Sequence, residues 1–143
     1  MRLAMVGLGF MGTTHLQAWR SVNGAELVAV VSDDPKQLEG DLSANTGNLN
    51  RQADSKLDFS ALMKFTNLDD ALAHPGIDAV DLCVPTHMHA PLAIQALRAG
   101  KHVLVEKPMA LSGELCDEMV RTAEECGKTL MVAHVLRFWD AYQ

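Results

Sequence analysis

Six short apolar runs punctuate the chain, at positions 3–6, 27–31, 63–66, 79–84, 102–105 and 129–133. Most are continuously apolar and rich in β-branched residues rather than alternating, the pattern of strands covered on both faces. Between them the apolar positions recur at helical spacing, which predicts helices over 11–22, 35–44, 67–73, 90–99 and 112–126. The punctuation agrees. Pro91 stands in the first turn of one helix and Gly100 just past its end. In another, Ser112 is the expected N-cap, Leu115, Met119, Val120 and Ala123 share a face, and Gly127 stops the helix. This alternation specifies an α/β fold, a doubly wound parallel sheet with helices on both faces and right-handed crossovers.

The stretch from 40 to 60 breaks the pattern. Gly40, Asn45, Gly47, Asn48 and Asn50 cluster with Ser, Asp and Thr, which reads as a long surface loop or loose helix tail and a poor place for a core. An indifferent insertion is the expectation, ahead of a flap near a bound nucleotide. At 143 residues the chain is long enough for one domain with a real core. A formal charge of −6 argues against a nucleic-acid partner. No apolar run approaches the ~18 residues of a membrane span, and the chain enters its first strand at once, without a signal peptide. The three cysteines, Cys83, Cys116 and Cys126, have no C-x-x-C spacing, so a disulfide framework is not expected and a cytoplasmic location is. Cys83, inside an apolar run, reads as a buried inert thiol.

The first strand leads into Gly7-Leu-Gly9-Phe10-Met11-Gly12, a G-x-G-x-x-G spacing between a strand and a helix. Ten glycines make accidental matches easy, but the strand–turn–helix context is the one the motif needs. Gly7 permits the tight turn, Gly9 lets the backbone approach a pyrophosphate, and Gly12 lets the helix press on the sheet. The helix start at Phe10 and Met11 then offers unpaired N–H groups and a positive dipole end to the phosphates. Asp33 ends the second strand about 20 residues on, where a carboxylate accepts from the adenosine ribose hydroxyls. Its charge repels a 2′-phosphate, favouring NAD over NADP. Asp34, with Pro35 behind it, competes as a simple helix cap.

In a doubly wound sheet the ligand lies beyond the carboxyl ends of the strands. After the fourth strand comes Val84-Pro85-Thr86-His87-Met88-His89, and after the fifth Val105-Glu106-Lys107-Pro108. Together with the glycine turn and Ala99-Gly-Lys-His-Val-Leu-Val-Glu-Lys-Pro-Met109, these segments closely resemble the glucose–fructose oxidoreductase/inositol dehydrogenase family, often written Gfo/Idh/MocA. The likeness covers essentially the whole chain. It implies a Rossmann domain in which Lys107 reaches toward the nicotinamide ribose and the substrate hydroxyl, with Glu106 nearby. It further implies that Pro85 and His89 match residues opening the fourth helix, and that Arg137 lies near the entry to a second domain. Thr86 stands where many members have asparagine. The resemblance also implies a cis Lys107–Pro108 bond.

A lysine beside a cationic nicotinamide, partly desolvated, has its ammonium form disfavoured, which suits proton transfer as a hydride leaves an alcohol. His87 and His89 form H-x-H, but no third or fourth ligand stands nearby and no metal is expected. His15 reads as structural. Residues 1–133 are expected to form the dinucleotide-binding domain, and 134–143 the start of a connection to a substrate domain not contained in the chain. Trp139 and Tyr142 look suited to pack on such a domain. The implied activity is hydride transfer between NAD and a sugar, inositol or similar polyol, by a homo-oligomer when the second domain is present. A non-catalytic dinucleotide-binding module is the alternative, for which Lys107 has no use. A methyltransferase leaves the phosphate-binding turn unexplained.

Overall fold

The computed structural model describes residues 1–45 and 56–142. Six strands form one sheet: β1 (Arg2–Val6), β2 (Glu26–Val31), β3 (Met63–Phe65), β4 (Ala79–Leu82), β5 (His102–Val105) and β6 (Leu130–Val132). Five α-helices connect them: α1 (Phe10–Trp19), α2 (Pro35–Leu38), α3 (Leu68–Ala73), α4 (His89–Arg98) and α5 (Gly113–Cys126). The spatial order is β3-β2-β1-β4-β5-β6, and all five pairings are parallel. This is the Rossmann order, in which the chain departs from β1 to one side through β2 and β3 and then returns to β4 on the other. Among the described residues no helix is long and apolar enough to cross a membrane.

The continuous apolar runs follow from cover on both faces. Ala4, Val6, Ala29, Val31, Val80, Leu82, Val103 and Val105 pack against α3, α4 and α5 through Leu72, Ala93, Leu97 and Met119. The intervening Met5 and Val30 face the other way, onto Leu16 of α1 and Leu38 of α2. Ser112 caps α5, accepting from the Leu115 N–H. Gly127 ends it in the left-handed region at φ +60°. Gly100 does the same past α4, at φ +77°.

Three expectations are corrected. The helix expected over 35–44 ends at Leu38, because Gly40 takes φ +83° and packs so closely on the Leu57 carbonyl that a Cβ would lie 1.8 Å from its oxygen. The stretch from 40 to 60 is not a poor place for a core. Leu42, Leu57 and Phe59 are buried beside Leu8 and Leu16, and the backbone bridges Asp41 to Lys56. The proposed flap over the nucleotide falls on 46–55, outside the described residues. On α5, Val120 is exposed while Thr122 is buried. Five positions after Leu115, Val120 sits about 140° round the helix, off the buried stripe.

Candidate functional site

At the carboxyl end of the sheet, where β1 and β4 part to opposite helical layers, a cleft of about 450 Å3 opens. Its floor is the turn after β1, held by the Gly7 N–H donating to the Val31 carbonyl and the Cys83 N–H donating to the Val6 carbonyl. Gly7 adopts φ +88°, and a Cβ there would meet the Cys83 carbonyl oxygen at 2.5 Å, so the turn admits only glycine. Gly9 is the N-cap of α1, and no side chain caps that helix. The first-turn N–H groups, at Phe10, Met11 and Gly12, lie too early in the helix for intrahelical partners. A Cβ on Gly9 would meet nothing within 4 Å. Gly9 therefore borders open space in the cleft, with donors and a positive dipole end behind it, a cradle suited to a pyrophosphate.

Asp33 lines the same cleft from the end of β2. The competition between the two acids is resolved by geometry. Asp34 caps α2, its Oδ1 accepting from the Lys36 N–H at 2.8 Å. The Asp33 side chain is exposed and among the described residues has no hydrogen-bond partner. Thr66, Asn67 and Leu68 face it from the turn after β3, and Val84, Pro85, Met88 and Leu92 close the opposite wall. The sequence reading singled out the segment from Val84 to His89 but missed Thr66, Asn67 and Leu68, whose only signal was position after a strand.

Asn45 was also missed. Its Nδ2 donates to the Leu8 carbonyl at 2.6 Å and to Thr13 Oγ1 at 3.1 Å. Its Oδ1 accepts from Gln37, whose own Oε1 accepts from Ser32 Oγ. These bonds tie the glycine turn to the end of β2 from behind.

The remaining expected residues stand beside the cleft rather than in its lining. Glu106 and Lys107 follow β5. Glu106 is buried, Lys107 is exposed, and the Lys107–Pro108 bond is cis. Thr86 lies in a short 3-10 turn, Thr86–Met88, that leads into α4. His89 is buried, with Nδ1 2.8 Å from the Pro108 carbonyl oxygen and Nε2 2.9 Å from that of Val84. It joins the loops after β4 and β5, and neither ring nitrogen is left for a metal. His87 is exposed. Arg137 sits in an exposed 3-10 turn, Val135–Phe138, beyond the cleft. Trp139 and Tyr142 are exposed and lie near each other, with ring centroids 6.4 Å apart.

Behind the glycine turn lies a polar cluster. His15 of α1 approaches Asp81 Oδ2 at 2.9 Å through Nδ1 and Glu106 Oε1 at 3.1 Å through Nε2. Trp19 Nε1–H donates to Asp81 Oδ2 at 2.7 Å. The hydrogen bond to Asp81 raises the His15 pKa above its ordinary value, against the opposing effect of burial, and the charges of Asp81 and Glu106 add to the rise. Burial, with the Asp81 charge next, pushes the Cys83 thiol up, so it stays protonated and inert. His15, Asp81 and Cys83 offer three ligand atoms within 4.8 Å of one another. The ring nitrogen facing them, Nδ1, is engaged by Asp81 Oδ2 at 2.9 Å.

The family described as "Oxidoreductase family, NAD-binding Rossmann fold" (GFO_IDH_MocA) matches residues 1–134. The chain is 35% identical over its full length to 4-carboxy-2-hydroxymuconate-6-semialdehyde dehydrogenase of Sphingobium sp. (strain NBRC 103272 / SYK-6), covering 41% of that protein. Over 92% of its length it is 32% identical to a glycosyl hydrolase family 109 protein of Shewanella pealeana, covering 28% of it. The crystal structure of scyllo-inositol dehydrogenase from Lactobacillus casei with bound NAD(H) and scyllo-inositol superposes with a TM-score of 0.81 at 27% identity. That match covers 99% of this chain and 38% of the other. The chain thus spans less than half the length of these relatives, the part holding the nucleotide cleft. It belongs to the Gfo/Idh/MocA oxidoreductase family, of which it is the NAD-binding Rossmann domain.

Proposed function

We propose that the chain is the cofactor half of an NAD-using dehydrogenase that moves a hydride between the nicotinamide and a secondary alcohol of a sugar, inositol or similar polyol. One observation carries this reading. A single cleft presents an uncapped helix start at Gly9 and, at Asp33, a carboxylate without a partner among the described residues, and the turn bearing Lys107 stands at the same end of the sheet. When bound, the dinucleotide supplies the hydride acceptor. This chain's residues hold the dinucleotide and move the alcohol proton.

The Phe10, Met11 and Gly12 N–H groups hold the pyrophosphate. Asp33 accepts from the two adenosine ribose hydroxyls and disfavours a 2′-phosphate, which makes NAD the cofactor rather than NADP. Lys107 takes or polarises the alcohol proton as the hydride departs. Pro85, Thr86 and Glu106 border the nicotinamide end, and Arg137 approaches it from the connection to the substrate domain. The remaining substrate contacts come from outside this chain. A reducing compartment suits Cys83, Cys116 and Cys126, all of which are free thiols.

The deciding experiment is a titration of the chain with NADH and with NADPH, followed by fluorescence or calorimetry. Tighter binding of NADH supports the reading. Equal or reversed affinities overturn the role of Asp33, and absence of binding by either overturns the reading as a whole. Substrate class is tested on the protein that includes the substrate domain, by NAD reduction against a panel of sugars and inositols.

A further inference from the structure

We propose that His15 is a positioning residue for the Lys107 turn: an imidazolium that donates to Asp81 on one side and Glu106 on the other, and so holds the carboxylate to which the Lys107 backbone is bonded. Its importance for function rests on the reading of Lys107 given above.

The argument is one of donors and acceptors. Asp81 lies in the centre of the sheet with no exposure, and its Oδ2 already accepts from the Trp19 indole. Glu106 is almost as buried, and its Oε2 accepts from the Lys107 N–H at 2.8 Å. His15 Nδ1 faces that same Asp81 Oδ2, which takes both donors, and Nε2 faces the remaining Glu106 oxygen, Oε1. Ionised carboxylates only accept, so a neutral ring would turn one lone pair onto a carboxylate oxygen in a site shielded from water. A ring with two protons satisfies both sides, and it also places a positive charge between two buried negative ones. The facing groups from each packed element are Asp81 of β4, Cys83 after β4, Glu106 after β5 and the neutral Trp19 of α1. The direction of the His15 pKa shift agrees with this arrangement.

The consequence is a connection from helix to loop. His15 lies in α1, whose first turn faces the cleft, and Glu106 begins the turn after β5. The Lys107 side chain is exposed and cannot be held by packing, so its direction depends on its backbone. On the carbonyl side His89 grips Pro108, and on the amide side Glu106 grips Lys107. Loss of the His15 proton removes the donor that holds Glu106, and so loosens the second of these grips.

The test is an NMR titration of the 15N-labelled chain, following the His15 ring nitrogens and the Lys107 backbone amide, with NADH affinity measured at each pH. Both ring nitrogens should carry protons at neutral pH and lose one above the ~6.5 of an ordinary histidine. The Lys107 amide should shift with the same midpoint. That response should vanish in His15→Gln, which should also weaken NADH binding roughly threefold to tenfold, the scale of one ordinary hydrogen bond. A generic stabilising role would lower the melting temperature of the variant without coupling the two midpoints. A neutral His15 ring at neutral pH, or a Lys107 amide indifferent to the His15 proton, overturns the proposal. The wild-type titration decides this even where His15→Gln fails to fold. Coupled midpoints in a chain that binds no dinucleotide would uphold the positioning role and overturn the proposed function instead.

Discussion

A Cβ at position 12 would lie 2.0 Å from the Gly7 carbonyl oxygen, whereas one at position 9, three residues earlier in the same motif, would meet nothing within 4 Å. The two glycines are thus needed for different reasons. Gly12→Ala forces the α1 start away from the β1 turn and should cost on the order of 1–3 kcal/mol, as overpacking does. Gly9→Ala fits its backbone, at φ −70°, and should leave stability within about 0.5 kcal/mol. Its methyl group projects into the cradle and should weaken NADH binding about tenfold or more, at least ~1.4 kcal/mol. Thermal melts and NADH titrations on both variants separate the two effects. A Gly9→Ala variant with unchanged affinity would remove the pyrophosphate from this position.

Asp33 should set the choice between the two dinucleotides. Like charges about 4 Å apart repel by about 4 kcal/mol at an effective dielectric constant near 20. At an exposed carboxylate, salt and water reduce this to the order of 1 kcal/mol, several-fold in affinity. Asp33→Asn should therefore raise NADPH affinity by roughly that factor and lower NADH affinity. Parallel titrations at low and high salt check it, since the NADPH penalty should shrink as salt rises.

Stability should decline with rising pH through the His15 transition. The His15 pKa is raised in the folded chain, so the stabilisation is fully present below the unfolded value of ~6.5 and is lost as pH passes the folded value. Urea midpoints measured from acidic to mildly alkaline pH should fall across that window, and the fall should shrink in Asp81→Asn, which leaves only the Glu106 carboxylate facing the ring. Asp78, held low by its hydrogen bonds with Arg2, acts with the opposite sign, losing its contribution only as pH drops below the ordinary carboxylate range. Both side chains of that pair reach solvent, which makes the contribution small.

Lys107→Met should separate catalysis from folding. The side chain is exposed, so the melting temperature should hold. In the protein with its substrate domain, kcat should fall by roughly 10²–10⁴, the usual worth of a positioned proton-transfer group. The chain alone should bind NAD weakly and turn over no polyol, because positioning the substrate is worth ~7–11 kcal/mol and the groups for it lie elsewhere. Steady turnover by the 143-residue chain would overturn that division of labour.

All six strands were legible because burial on both faces leaves an unbroken apolar run, and the glycine turn because its backbone demands are local. The helix over 35–44 misled because its end is imposed by the Leu57 carbonyl, a neighbour seventeen residues away from Gly40 that no local pattern reveals. Leu42, Leu57 and Phe59 looked isolated among polar residues, yet the fold gathers them under Leu8. Motif spacing placed Asp33 and Gly9 in one site, and both line the cleft. Asn45 and the His15–Asp81–Glu106 cluster were not legible, since each joins segments distant in sequence through side chains with no motif of their own. Asp81 in particular sits in an apolar run, where only its partners Trp19 and His15 give it a role.

The division of roles between Asp33 and Asp34 bears on how readily nucleotide preference drifts. One carboxylate is committed to the first turn of α2, where its removal would cost about 1 kcal/mol, while its neighbour carries no architectural duty among the described residues. On the proposed role of Asp33, a single substitution there would shift the preference without passing through a weakened fold. The same adjacency makes Asp33 an entry point for redesign, and Asp34 the residue such a design should leave alone.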